Sequence, residues 1–429
     1  MPKTNRKLEE LSRLDDVLQT RKQYRYVSWL SRDKSIKADD LLLLQRSVEK
    51  EITVVKSGRY LRNKRGNYRV GKAIGQMKRD LYEGEGCWLK PEEFREKYGM
   101  SRTSFWRLHE SIKHHAVYKK TRSKRGRKQV PSQFQLMVLL AFLRTEGSGM
   151  NNRKGRNVFE ISSGSVQKYR DRTVHAIVDT LYSSTVYWPD ANERREIADR
   201  FFRDFPCFPN LVGVADGTLF PLAFKPSRSD YPDYHGRKHL YTLTSLIVND
   251  DKRRIRYFNA GWAGSAHDDR VFSNSALCRR QEEYFSALEY ILGDSAFSPR
   301  PYVVPAFKKP IGSVIGIKKE IFNKKLAKTR IISEHTIGML KARWPFLRSI
   351  RFVLTEDKRS LENILKYITC CIILHNLLID FKDEDDLEDF DDDVSEIDAD
   401  NELNQPLQPT AKADTRRTQL FNYVMERFY

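Results

Sequence analysis

The chain has 429 residues and a net charge of +20, with 31% charged and an ordinary 40% hydrophobic residues. It is long enough for two or three domains around a buried core, and basic enough to seek a polyanion such as nucleic acid or an anionic surface. The apolar clusters around Leu136–Leu143 and Ile364–Ile379 read as too short or too interrupted for a membrane span. The charged stretch Met1–Lys22 lacks the apolar core of a signal peptide. The expectation is therefore an intracellular protein with no membrane partner. The five cysteines are odd in number and contain no Cys-x-x-Cys pair, which weighs against a disulfide framework or a zinc site. Cys370 and Cys371 fall in an apolar helical run and read as core.

In chain order, residues 1–80 form a basic N-terminal region with no assignable pattern. Residues 81–200 read as all helix. Pro91 starts PEEFREKY, Gly99-Met100 breaks it, and Ser101 caps RTSFWRLHESIKHH. Phe94, Tyr98, Phe105 and Leu108 would then face one another, at helix–turn–helix spacing. A dense basic run follows, with Lys119, Lys120, Arg122, Lys124, Arg125, Arg127 and Lys128. It suits either a DNA-contacting linker or a nuclear import signal. A second unit is predicted from PSQFQLMVLLAFLRTEG, NNRKGRNVFE and a serine-capped helix from Ser162 to about Asp179. Ser163, Ser165 and Lys168 stand at the start of that helix, where a recognition helix enters a major groove. A plain helical bundle fits both units as well. Arg102, beside the first cap, joins the DNA-contact candidates.

From about Asn210 the period changes. LVGVAD is a short apolar run ending in a carboxylate, and YTLTSLIVND and RIRYFNAGW read as strands around a hairpin turn. A helix over Asp268–Leu277 follows. ILGDS is a fourth strand ending in a carboxylate, and PYVVPAF reads as a fifth. Helices are predicted over 331–344 and 360–380. The fold class is α/β for 205–380. Residues 381–410 hold a block of acids from Asp383 to Asp393, which predicts a flexible, disordered linker. Residues 411–429 read as a C-terminal helix.

Asp216 and Asp294 are predicted at neighbouring strand ends, where open α/β sheets bind ligands. Two hard oxygen donors there suit Mg²⁺ or Mn²⁺. An Asp before Gly or Ser is also common in plain turns, and only the pair together, in a basic chain, favours the metal reading. Glu334 is the third candidate. Ile331, Glu334, Gly338 and Lys341 share one helix face, beside the apolar Ile332, Ile337, Met339 and Leu340. Its rivals are Glu320, in a charged stretch, and Glu356, in a turn before a helix. Lys238, Lys341 and Arg343 are candidate phosphate contacts, and solvated surface charge explains each of them as well. His267 and Asp268 are candidates for orienting the site; Asp268 alternatively caps the next helix.

The blocks GVADGTLFPL, HGRKHLYTLTSLIVND, NAGWAGSAHDDRVFSNSAL, YILGDSAFSPRPYVVPAF and SEHTIGMLKARWPFLR resemble, in order, those of PIF/Harbinger transposases. YGMSRTSFWRL upstream, YITCCIILHNLLID with His375-Asn376, and the final TRRTQLFNYVMERFY also resemble that family. The acidic insert is longer than the resemblance leads one to expect. The resemblance implies a ribonuclease-H-like DDE domain with Asp216, Asp294 and Glu334 as catalytic residues holding two Mg²⁺ or Mn²⁺ ions. It further implies double-stranded DNA as substrate, both terminal inverted repeats and target site. A homo-oligomer on DNA, a Myb-like accessory protein and a nuclear location are implied as well. The alternatives are a domesticated DNA-binding relative, a metal-dependent nuclease without strand transfer, and a transcription factor.

Overall fold

The computed structural model describes residues 89–119, 129–147, 152–159, 161–236, 239–308, 314–383 and 414–429, with a few positions between 75 and 81. The region 1–74, most of the basic run after Lys119, Lys238 and the acidic block beyond Asp383 lie outside the described residues.

Among the described residues from 89 on, the helices run α1 (Pro91–Tyr98), α2 (Arg102–Ile112), α3 (Ser132–Leu143), α4 (Asn152–Val158) and α5 (Ser163–Thr185) before the sheet. Pro91 opens α1, and Ser101 caps α2 by accepting from the Ser104 amide. Phe94, Tyr98, Phe105 and Leu108 are buried, as the spacing predicts, with the Phe94 and Phe105 rings edge to face at 6.0 Å. Between the helices Gly99 takes φ 74°, and a Cβ there would lie 2.7 Å from Arg144 Cδ and 2.9 Å from the Trp344 ring. Only glycine permits both the left-handed turn and this close approach. Arg144 then donates to the carbonyls of Glu96, Ala342 and Arg343. These bonds join the first helices to the far end of a helix two hundred residues later. α3 is buried on all sides, which explains its lack of a polar face. α5 runs to Thr185, beyond the predicted Asp179.

α6 (Ala191–Asp204) leads into a five-stranded sheet: β1 (Leu211–Pro221), β2 (Thr242–Asn249), β3 (Ile255–Ala263), β4 (Tyr290–Gly293) and β5 (Val303–Pro305). The order is β3-β2-β1-β4-β5. β1, β2 and β3 are antiparallel neighbours, while β4 and β5 run parallel to β1. The predicted hairpin turn joins β2 to β3, with Arg253 at φ 62°. Asp250 there is buried, and the Arg256 guanidinium bonds it while also pairing with Glu193 of α6.

A register shift between Leu211 and Gly213 interrupts the alternation of side chains across β1. Leu211 and Val214 face a layer made of α6, α10 (Ile317–Arg343) and α12 (Asp414–Phe428), through Ile197, Phe201, Phe322, Leu326, Leu420 and Val424. Val212 and Ala215 face the other layer, where α7 (Asp268–Ser273) and α8 (Ala276–Arg279), followed by the short α9 (Gln281–Tyr284), contribute Val271, Phe272 and Leu277. α6 closes the helical region in sequence, yet it packs as part of the sheet's own core.

α11 (Lys358–Asp380) corrects the membrane expectation in one respect: its 23 residues are long and apolar enough to cross a bilayer. Its apolar side is instead buried in the protein, with Cys370 and Cys371 fully covered. Asn376 accepts from the Ile255 amide and donates to the carbonyls of Ile255 and Thr185. One amide thus joins α11, the start of β3 and the end of α5. Burial, with the charges of Arg343 and Arg253, pushes the neighbouring His375 down to about 3.

Candidate active site

β1 does not stop at Asp216, as the sequence suggests. It continues to Pro221, paired with β2 throughout. Pairing with β4, however, ends at Val214↔Leu292. Asp216 and Asp294 both lie two residues beyond that pair, on parallel neighbours about 4.8 Å apart. Asp216 shares the face of Val214, towards α10. Asp294 follows the last residue of β4, so the sheet opens between the two carboxylates.

α10 supplies the third acid. It spans Ile317–Arg343, far longer than the predicted 331–344, and its buried face differs from the expected one. Phe322, Leu326, Thr329, Ser333, Thr336 and Leu340 point inward, while Ile331 is 43% exposed. Thr329 and Thr336 return their hydroxyls to carbonyls one turn back, leaving their methyls for the core. Small residues there let the helix lie close to the sheet. Glu334 is exposed beside this contact face.

The other two acids both bear on Asp216. Burial pushes the Asp216 carboxyl up to about 6; the Arg330 guanidinium opposes that, and the negative charges of Asp294 and Glu334 add to it. Arg330 Nη2 lies 3.5 Å from Asp216 Oδ1. Arg330 stands four residues before Glu334 in the sequence, and that spacing is the local signal for its place beside the acids. Three carboxylates set against one arginine are oxygen donors of the kind a hard divalent cation takes. Asp216 also accepts from the Gly217 amide and Asp294 from the Ala296 amide. The local turn bonds of the plainer reading therefore coexist with the cluster.

Glu320 pairs with Lys324, and Glu356 accepts from the Ser229 amide. Gly217 points to the α7 face. A Cβ there would fall 2.2 Å from Asp268 Oδ1, so the missing side chain makes room for that carboxylate. Asp268 is the first residue of α7 rather than its cap; that place belongs to His267, whose side chain makes no capping bond. Asp269, which the sequence did not single out, accepts from Ser298 N and Oγ and pairs with Arg300. It thereby ties down the loop after Asp294.

Two of the proposed DNA contacts are corrected. Arg102 is buried, donating to the carbonyls of Asp80 and Leu89 over the Phe94 ring. Arg343 is 3% exposed and donates to the Asp383 carbonyl. Lys341 is half-buried, 5.7 Å from the Phe220 ring centre. Lys119 and Lys168 are exposed, and Ser163 and Ser165 half-exposed. Lys120, Arg122, Lys124, Arg125, Arg127, Lys128 and Lys238 lie outside the described residues.

Away from the sheet, His115, His175 and Asp179 also converge. His115 Nδ1 accepts from the Val117 amide, and its Nε2 lies 2.8 Å from Asp179. With Nδ1 so engaged, Nε2 carries the proton, which suits a hydrogen bond better than a metal bond.

Residues 215–376 match the family model described as DDE superfamily endonuclease. Over that stretch the chain is similar to DDE endonucleases of the Harbinger type. The Arabidopsis thaliana protein named "Protein ALP1-like" is 26% identical over 255 residues, 56% of this chain and 56% of its own length. The Mus musculus protein named "Putative nuclease HARBI1" is 25% identical over 252 residues, covering 58% of this chain and 68% of that one. A Microchaete diplosiphon protein, "Probable transposase for insertion sequence element IS702", is 25% identical and covers 59% and 84%. No solved structure matches.

Proposed function

We propose that this protein is a transposase-type DNA endonuclease in which Asp216, Asp294 and Glu334 hold two Mg²⁺ or Mn²⁺ ions. The observation that carries the reading is the matched position of Asp216 and Asp294 beyond Val214↔Leu292, with Glu334 of α10 acting on the same carboxyl. The sheet order supports a ribonuclease-H-like fold. When bound, the cations supply Lewis-acid activation of water or a 3′ hydroxyl and stabilise the leaving oxygen of the phosphodiester. The chain's own task is to hold three carboxylates at the open sheet edge. Arg330 balances Asp216 until a cation arrives, and Asp269 fixes the loop that follows Asp294.

For DNA recognition, the second helical unit is the better reader. The start of α5 is open to solvent, with Ser162 as its cap and Lys168 one turn further on. A homo-oligomer on terminal repeats, a Myb-like accessory partner and a nuclear location belong to the same reading. A domesticated nuclease that cuts without strand transfer fits the relatives equally well. Incubation with DNA carrying the flanking terminal inverted repeats, with Mg²⁺ or Mn²⁺, separates them. Cleavage with joined products supports the transposase, cleavage alone supports the nuclease, and no metal-dependent cleavage overturns both.

A further inference from the structure

α10 changes character along its length. Between Ile317 and Lys328 it carries Lys318, Lys319, Lys324, Lys325 and Lys328 against one acid, Glu320. Phe322 and Leu326 anchor this half in the core, so the lysines border the solvent side. The Lys324 side chain is 73% exposed, and Lys318, Lys319 and Lys328 are exposed as well. Lys324 and Lys328 stand four residues apart, a spacing at which like charges weaken a helix. Glu320 relieves only Lys324, at 2.9 Å. Helix stability therefore does not account for this pattern.

α12 lies alongside. Its Phe421 packs 5.9 Å from Phe322, Lys325 sits 5.0 Å over the Phe428 ring, and Lys318 sits 5.9 Å over the Tyr429 ring. Phe428 and Tyr429 are themselves exposed. Cations interleaved with exposed aromatic faces suit a nucleic-acid strand. The surface is also aimed at the carboxylates. Glu320, Lys324, Lys328, Ile331 and Glu334 succeed one another at three- or four-residue steps, so one exposed stripe leads to Glu334. At about 1.5 Å per residue, Lys328 lies roughly 9 Å and Lys324 roughly 15 Å along the axis from Glu334. Phosphates recur every 3.4 Å or so along each strand of a duplex. These lysines are therefore a few phosphates from the carboxylates.

We propose that the N-terminal half of α10, flanked by α12, is the platform for the DNA strand next to the cleaved phosphodiester. The occupant is DNA because the charge is complementary and the stripe is continuous with the site. The proposal rests on the nuclease reading for which bond is cut, but its binding role is separately measurable.

The test uses the full chain and a fluorescently labelled DNA duplex of mixed sequence, with affinity measured across a salt series. Lys324→Gln/Lys328→Gln is compared with Lys358→Gln/Lys366→Gln, which removes the same charge from exposed positions on α11. The α10 pair should lower the slope of log affinity against log salt by roughly 2, at about 0.9 per lost contact. Affinity at physiological salt should fall about tenfold, with an unchanged or raised melting temperature. The α11 pair should move the slope by less than half as much. Equal slopes for the two pairs, or no change in the α10 pair, would overturn the proposal. Cleavage of terminal-repeat DNA by the wild type is scored separately. An inactive wild type with a reduced slope in the α10 pair would sink the nuclease reading and leave the platform standing. An active wild type with an unchanged slope would do the reverse.

Discussion

α2 and α5 begin alike in sequence, each with a serine cap followed by a basic residue within the first turns, yet they are put to opposite uses. At α2 the helix start is filled by the protein itself. Asp383 accepts from Ser101 N and Oγ at 2.9 Å and pairs with Arg95 at 2.6 Å, while Arg102 turns inward. At α5, Ser162 satisfies the Ser165 amide, and Gly164, Gln167 and Lys168 remain exposed. A helix start attracts an anion wherever its amides lack partners. In α2 that anion is an internal carboxylate; in α5 the position stays open to a phosphate. A helix–turn–helix pattern therefore does not identify a DNA reader until the occupant of the helix start is known.

The comparison breaks most visibly at Asp383. Burial opposes its charge, but bonds from Ser104 and Ser101 and the Arg95 cation outweigh burial and hold the carboxyl below the usual range. Asp383→Ala should cost about 2–4 kcal/mol, because it leaves Arg95 and the cap without their shared partner. Chemical denaturation near neutral pH measures this. A carboxyl with a depressed native pKa stabilises above its unfolded pKa and loses that contribution as pH falls through the native value. The difference between wild type and variant should therefore shrink in acid.

The carboxylate edge carries a charge conflict of the opposite sign. With the Asp216 carboxyl raised to about 6, its ionised form is disfavoured by folding, so stability is lost as pH rises from about 4 to about 6. Asp216→Asn should therefore stabilise the metal-free protein by about 1–3 kcal/mol above pH 6, with no gain below about pH 4. Thermal melts with a chelator test it, and a destabilised variant at pH 7 would contradict the account of a carboxyl raised by burial and its acidic neighbours.

Much of this was legible in advance. The succession of strands and helices, the hairpin and the serine caps followed from period and turn chemistry. The inward turn of Arg102 and Arg343 was not, because nothing local says that a basic side chain has carbonyls waiting two hundred residues away. The contact face of α10 was misjudged for a related reason. Its threonines hide their hydroxyls on their own backbone and pack as small apolar groups, so hydrophobicity alone pointed to Ile331 instead. Asp383 read as one acid in a repelling block, and only its partners at Ser101 and Arg95 set it apart.

The remaining predictions sharpen the contrast between the two helix starts. Ser162→Ala should cost about 1 kcal/mol, an ordinary lost cap whose partner among the described residues is Ser165 of the same helix. Lys168→Gln should shift stability by less than about 0.5 kcal/mol while lowering the salt slope of DNA binding by about 1. If Lys168→Gln left DNA binding unchanged at every salt concentration, α5 would lose its claim to be the reader.

The central claim is that Asp216, Asp294 and Glu334 act as one metal-holding set, and Glu334→Gln tests it most directly. Cleavage of terminal-repeat DNA in Mg²⁺ or Mn²⁺ should fall at least about a hundredfold, the scale of a lost transition-state contact, with DNA affinity nearly intact. Glu320→Gln and Glu356→Gln, whose carboxylates serve Lys324 and the Ser229 amide, should stay close to wild-type cleavage. Robust metal-dependent cleavage by the Glu334→Gln protein would contradict the account.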